Sequence, residues 1–375
     1  MQNPGKPART RRIALHAARI LVYSQAAGAP SHAPGARMHH ARPGHAPASP
    51  PHASPHDLGP ALEPALREAC AGCLKDIRWF RADWQMGGAA TAHAVFDGKP
   101  ESNPHLPPAP RPVVVKLPLG PREHRILTGL GATSAPTPRV LASGRELGGY
   151  DFAWVVMERL DGLPLSAHLH KEVFDHVIDA VVRFSRHAAD LWPLDPPPPG
   201  PDWSDLLDRS RRALKDNPGV PNIQQWASAA KRASRALPHL LDLWDSRSIN
   251  TWCHGDLHPG NCMRRTDGQL WAADPGFVLF DFAEVHAGHW VEDAVYLERL
   301  YWGRPQVLEG VKPVSLLARA RRNAGLETGD DYGTLADIRR LLMGVTAPAF
   351  LHREGYRAYM DAALQIVERL LKQFT

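Results

Sequence analysis

Residues 251–261 read TWCHGDLHPGN, and residues 277–293 read FVLFDFAEVHAGHWVED. Asp256, Asn261 five positions on, and Asp281 beyond an apolar strand set three oxygen-bearing side chains at fixed offsets. Phosphoryl transfer from a nucleotide needs such a set. One carboxylate orients the acceptor hydroxyl and takes its proton, and two oxygen ligands hold the hard magnesium ions that bridge the phosphates. Asp256 suits the first role, and Asn261 and Asp281 the second. The competing reading makes His254, Asp256 and His258 polar loop residues or a metal cluster. A zinc site would explain neither Asn261 nor the later acidic segment.

HGDLHPGN followed by a DF pair, with Gly288 and Asp293 seven and twelve residues after Asp281, resembles the aminoglycoside phosphotransferase family. The resemblance implies an α+β, bilobal, protein-kinase-like fold, with a small β-sheet lobe that binds nucleotide and a larger helical lobe that carries catalysis and substrate. It further implies ATP and Mg2+ as cofactors and a small-molecule hydroxyl as acceptor, as in aminoglycoside, choline and homoserine kinases. Asp256 would be the catalytic base, and Asn261 and Asp281 the magnesium ligands. His254 would tie the catalytic loop to the metal-binding loop, and Asp293 would brace it. Gly255 stands where protein kinases put Arg, no Ala-Pro-Glu follows, and Asp281 precedes Phe-Ala rather than Phe-Gly. These departures favour a small-molecule acceptor over a protein. The alternative is a nucleotide-binding pseudokinase or scaffold, which would have no need to keep Asp256, Asn261 and Asp281 together.

The upstream half supplies the expected nucleotide site. Lys116 lies in PVVVKL (112–117), a run that reads as a strand and would bury its stem while the ammonium faces the cleft. Glu123, seven residues on, is the expected partner that holds Lys116 against the phosphates, with Glu146 and Glu158 as alternatives. Gly87, Gly88 and Thr91 fall where the resemblance puts a phosphate-covering turn. Two glycines there permit close backbone approach to phosphate, and a generic turn is the plain alternative. Met157, Glu158 and Leu160 sit at the expected lobe-connecting hinge, where adenine would bond to backbone between apolar walls from Val114 and Met157.

Composition locates the charge. The 375-residue chain carries 44 Lys and Arg against 39 Asp and Glu, a net of +5. Residues 1–56 hold seven of those bases, no acid and nine of the 36 prolines, so the remainder carries 37 bases against 39 acids. A basic Pro/Ala/His-rich leader, expected to be disordered, thus precedes a near-neutral body, and no specific nucleic-acid partner is expected. Residues 57–160 are expected to form the nucleotide-binding lobe and 161–375 the helical lobe. No run of about 18 apolar residues exists to span a membrane. The four cysteines, Cys70, Cys73, Cys253 and Cys262, read as free thiols of a cytoplasmic protein rather than a disulfide scaffold. Helical spacing is expected over Pro60–Trp79 and Arg122–Leu130. After Gly162 it recurs at Lys171–Leu191, Trp203–Lys215, Gln224–Ser246, Trp290–Tyr301, Pro313–Ala324, Tyr332–Thr346 and Arg357–Phe374. Trp226, Trp244, Trp290 and Trp302 are expected in the core rather than in a substrate cage.

Overall fold

The structure is a computed structural model that describes residues 55–80, 89–100, 109–265, 276–329 and 331–374. Gly87, Gly88 and the leader through residue 54 lie outside the described residues. Pro55 and His56, assigned to the leader from sequence, instead open the first helix, α1 (Pro55–Ala69). Proline is tolerated in a first turn because the N–H it lacks has no partner there.

The expected helix over Pro60–Trp79 is split. α1 stops where Gly72 donates to the Arg67 carbonyl at 2.8 Å and Ala71 takes a left-handed φ of 50°, a paired-bond helix terminus. Leu74–Phe80 is then a strand, β1. Its pairing slips between Lys75 and Arg78, with Asp76 at φ 51°. That bulge breaks the period-2 alternation and leaves the apolar residues at helix-like intervals.

Four further strands complete the sheet of the first lobe: β2 (Ala90–Phe96), β3 (Arg111–Leu119), β4 (Val140–Gly144) and β5 (Ala153–Glu158). They lie in the antiparallel order β1-β2-β3-β5-β4, with α2 (Pro121–Leu130) between β3 and β4. β3 follows strict alternation. Val113, Val115, Leu117 and Leu119 are buried, while Val114, Lys116 and Pro118 share the opposite, partly open face. Leu62 and Leu66 of α1 close the buried side of this sheet.

The second lobe contains α3 (Lys171–Leu191), α4 (Trp203–Asp216), α5 (Ile223–Asp245), α6 (Val291–Arg299), α7 (Pro313–Asn323), α8 (Tyr332–Val345), α9 (Leu351–Glu354) and α10 (Arg357–Phe374). α3 buries Phe174, Val177, Ile178, Val181 and Phe184 at spacings of three and four. Each such side chain contributes on the order of 2 kcal/mol when removed from water. Trp226, Trp244, Trp290 and Trp302 are all buried in this core, as expected. Among the described residues, no helix is long and apolar enough to cross a membrane.

Candidate active site

Two short ribbons build the centre of the second lobe. β6 (Thr251–Cys253) pairs with β9 (His286–Gly288), and β7 (Cys262–Arg265) pairs with β8 (Gly276–Leu279). The two sequence motifs are therefore hydrogen-bonded to each other strand by strand. Consequently loop 254–261, between β6 and β7, meets loop 280–285, between β8 and β9. Asn261 accepts the Phe280 N–H through its backbone carbonyl at 3.1 Å, and His254 Nε2 donates to the Phe280 carbonyl at 3.1 Å. The other His254 nitrogen accepts the Asp256 N–H at 3.3 Å. Both ring nitrogens are thus engaged, one tying the two loops together and the other bracing its own loop, which excludes His254 from the metal-cluster reading. Burial pushes its pKa down and keeps the ring neutral.

Asp256 and Asn261 come together. The Asn261 amide donates to Asp256 Oδ2 at 2.9 Å and to the Asp256 backbone carbonyl at 3.0 Å. Tyr296, which the sequence analysis did not single out, donates its hydroxyl to Asp256 Oδ1. His258 Nε2 stands 3.6 Å from that same oxygen, while its Nδ1 accepts the Gly260 N–H at 2.9 Å. Burial acts to raise the Asp256 pKa, but the facing His258 and Tyr296 outweigh it and hold the carboxyl below its ordinary value. Asp293 lies beneath the loop, its two oxygens accepting the His254 and Gly255 N–H groups at 2.8 Å each.

Gly255 has a structural reason to be glycine. Its φ is +84°, and a Cβ there would fall 2.1 Å from the Glu284 carbonyl oxygen. The loop bearing Asp281 crosses directly over it, so the larger residue of protein kinases has no room. Asp281 itself adopts φ 63°, a left-handed conformation that aspartate tolerates better than most residues. Phe282 behind it is fully buried and packs its ring 4.8 Å from that of His254 and 5.1 Å from that of Phe184.

The first lobe contributes Lys116, whose Nζ lies 2.6 Å from Glu123 Oε1 and 2.7 Å from Asp281 Oδ1. Glu123, not Glu146 or Glu158, is therefore the partner. It sits in the first turn of α2 and is 3% exposed. Burial opposes charge on Lys116, yet Asp281 and Glu123 together raise its pKa. Lys116 in turn draws the Asp281 carboxyl down, while burial pushes Glu123 up. Thr91 is directly opposite Lys116 in the β2–β3 register, and Met157 is opposite Val114 in β3–β5. All four side chains consequently line one face of the sheet.

Glu158 has a different task from the one its hinge position suggested. Its carboxylate is buried against Arg265 and accepts the Arg139 N–H at 2.9 Å, which joins the end of β5 to β7. Its backbone N–H is likewise engaged, donating to the Arg139 carbonyl at 2.8 Å. Among the described residues, the Leu160 N–H has no hydrogen-bond partner.

The donor set fits magnesium. Asn261 uses its amide hydrogens on Asp256 and keeps its side-chain carbonyl oxygen, while the Asp281 side chain is 48% exposed and held ionised by Lys116. Both offer hard oxygen, and neither involves a soft ligand.

A family model described as the phosphotransferase enzyme family matches residues 105–337, which include every residue of the loops above. No curated protein matches the sequence. Among solved structures, an aminoglycoside phosphotransferase from Alicyclobacillus acidocaldarius is 17% identical with a TM-score of 0.46, over 88% of this chain and 95% of that one. A Ralstonia eutropha protein assigned to the aminoglycoside phosphotransferases is 15% identical with a TM-score of 0.49, over 84% and 98%. A thermostable mutant of another aminoglycoside phosphotransferase, in a ternary complex with AMP-PNP and hygromycin B, is 15% identical with a TM-score of 0.45, over 83% and 98%. Likenesses this distant say nothing about the acceptor. The match of the family model over most of the chain decides the matter: the chain belongs to the phosphotransferase enzyme family.

Proposed function

We propose that this phosphotransferase uses ATP and Mg2+ to phosphorylate a hydroxyl of a small molecule in the cleft between residues 57–160 and residues 161–375. The observation that carries the reading is the Asp256 carboxylate fixed by Asn261 beside an Asp281 that pairs with Lys116. Asp256 takes the proton of the acceptor hydroxyl as that oxygen bonds to the γ-phosphorus and the bond to ADP breaks. Lys116, held by Glu123, faces the phosphates. Asn261 and Asp281 would hold the magnesium, which when bound neutralises phosphate charge. His254 and Asp293 keep the loops in register, and the Leu160 backbone with the walls of Val114 and Met157 would receive the adenine. Thr91 stands beside Lys116 on the phosphate side.

The acceptor is not assigned by acidic residues of the helical lobe. Asp202 caps α4 through the Asp205 N–H, Glu292 is buried against Arg247, and Glu298 pairs with Arg340. These side chains serve the fold, so a polycationic acceptor has no dedicated acidic pocket in them. A panel of alcohols, sugars, amino acids and antibiotics, assayed for ADP release from magnesium-ATP, tests the reading. Replacing Asp256→Asn should lower turnover at least about 100-fold. Unchanged turnover would remove Asp256 as the base, and stabilisation by ATP without any transfer would favour a nucleotide-binding pseudokinase.

A further inference from the structure

Helix α6 is buried on nearly every side: Val291, Glu292, Asp293, Ala294, Val295, Tyr296, Leu297 and Arg299 are all buried. Its first turn carries Asp293, which holds the backbone N–H groups of His254 and Gly255. Tyr296 is three residues further on, so the two side chains share a face of the helix. It is 4% exposed, and its hydroxyl bonds Asp256 Oδ1. One helix face therefore grips three consecutive residues of the catalytic loop, two by backbone and the third by its carboxylate.

A carboxylate turns easily about its last torsion, because that rotation is broad and has no sharp staggered wells. At Asp256 the two oxygens are held from different elements: Oδ2 by the Asn261 amide at 2.9 Å, and Oδ1 by Tyr296. Two directed donors on two oxygens define the plane of the group. The lone pairs they leave unclaimed are the ones an acceptor hydroxyl can reach.

We infer that Tyr296 is the positioning residue for proton transfer, fixing the plane of the Asp256 carboxylate toward the incoming hydroxyl. The inference rests on Asp256 being the base. A phenylalanine at 296 keeps the ring and removes the hydroxyl donor, which leaves Oδ1 to His258 Nε2, 3.6 Å away, and loosens the carboxylate about its Asn261 bond. Small losses of alignment at a reacting group cost large factors in rate, up to about 100-fold for a displacement near 1 Å.

The test measures ADP release from magnesium-ATP with water as the acceptor, which requires no identified substrate. Tyr296→Phe is expected to lower kcat about tenfold while the KM for ATP changes less than twofold. Placed on Asp256→Asn, the same replacement should change the rate less than twofold, because its effect passes through the carboxylate. A wild-type kcat for Tyr296→Phe, with Asp256→Asn inactive, overturns this inference alone. A full tenfold loss added on top of Asp256→Asn overturns it as well, since that marks a general packing effect. Asp256→Asn at wild-type rate would instead bring down the base assignment and this inference with it. A crystal structure of Tyr296→Phe supplies a readout independent of activity: a rotated Asp256 carboxylate supports the role, and an unmoved one counts against it.

Discussion

Lys116 Nζ lies 2.7 Å from Asp281 Oδ1 across 165 positions of sequence, joining strand β3 of the first lobe to the loop that follows β8. The same ammonium reaches Glu123 at 2.6 Å, so a single cation serves a nearly inaccessible carboxylate and a half-exposed one. Geometry of this kind makes the lysine both a nucleotide ligand in the proposed reaction and a structural tie.

Lys116→Met should therefore have two effects. It leaves Glu123 buried without a cation, and breaking a buried pair from one side costs about 3 kcal/mol. It also removes the phosphate contact, so the KM for ATP should rise at least about tenfold. Glu123→Gln should reproduce part of the second effect with less of the first. Thermal unfolding and ATP titrations of both variants separate these contributions, and a Lys116→Met protein with unaltered KM would exclude the phosphate contact.

Gly255→Ala should be far more damaging than its size suggests. The new methyl falls 2.1 Å from the Glu284 carbonyl oxygen, and φ +84° is unfavourable for any side chain. The conformational term alone costs about 1–2 kcal/mol, and relief of the clash must displace the loop carrying Asp281. A drop in melting temperature accompanied by at least tenfold lower turnover is expected. Retained activity would mean that loop 280–285 yields without consequence.

Arg265→Met should destabilise the protein by about 3–5 kcal/mol, because it strands Glu158 in a buried environment. Adding Glu158→Met should recover most of that loss, since an apolar pair replaces an ionic one at similar volume. Denaturant midpoints of the single and double variants give the comparison. If the double variant were no more stable than the single one, the Glu158 carboxylate would not be the source of the cost.

His289 predicts an acid sensitivity. The ring is fully buried, its Nδ1 accepts the Val291 N–H at 3.2 Å, and burial lowers its pKa from the ordinary 6.5 to about 4. The unfolded chain then binds this proton more readily than the folded protein. Stability is unaffected above about pH 6.5 and falls as the pH drops from there to about 4, by about 3 kcal/mol in total. Wild type should lose that much more stability than His289→Gln between pH 7 and pH 4. Parallel losses in urea unfolding at the two pH values would show that the ring takes up its proton as readily in the folded protein as in the unfolded chain.

The helices from α3 onward were legible because each buries one stripe, as α3 does with Phe174, Val177, Ile178, Val181 and Phe184. β3 was legible as the apolar, β-branched run PVVVKL, and the alternating burial in the structure then put Val114 and Lys116 on one face. β1 was not, because a bulge at Asp76 in an edge strand erased the alternation and left Cys73 and Ile77 at a helical interval from Cys70. Tyr296 was hidden for the opposite reason. α6 is buried all round, so no polar face marks which of its residues touches the catalytic loop.

What the chain determined by itself was the identity and order of the residues proposed for the chemistry: Asp256, Asn261 and Asp281, with Lys116 in a strand and Glu123 soon after. Local spacing is enough for that, because these groups sit in short loops and regular elements whose periods are written in consecutive residues. What only the tertiary structure decided was assignment among partners. Lys116 met Glu123 rather than Glu158, Glu158 went to Arg265, Gly255 was obligatory beneath Glu284, and Tyr296 came to rest on Asp256. Those pairings depend on the packing of elements distant in sequence, where burial makes each polar group take the nearest partner that the fold supplies.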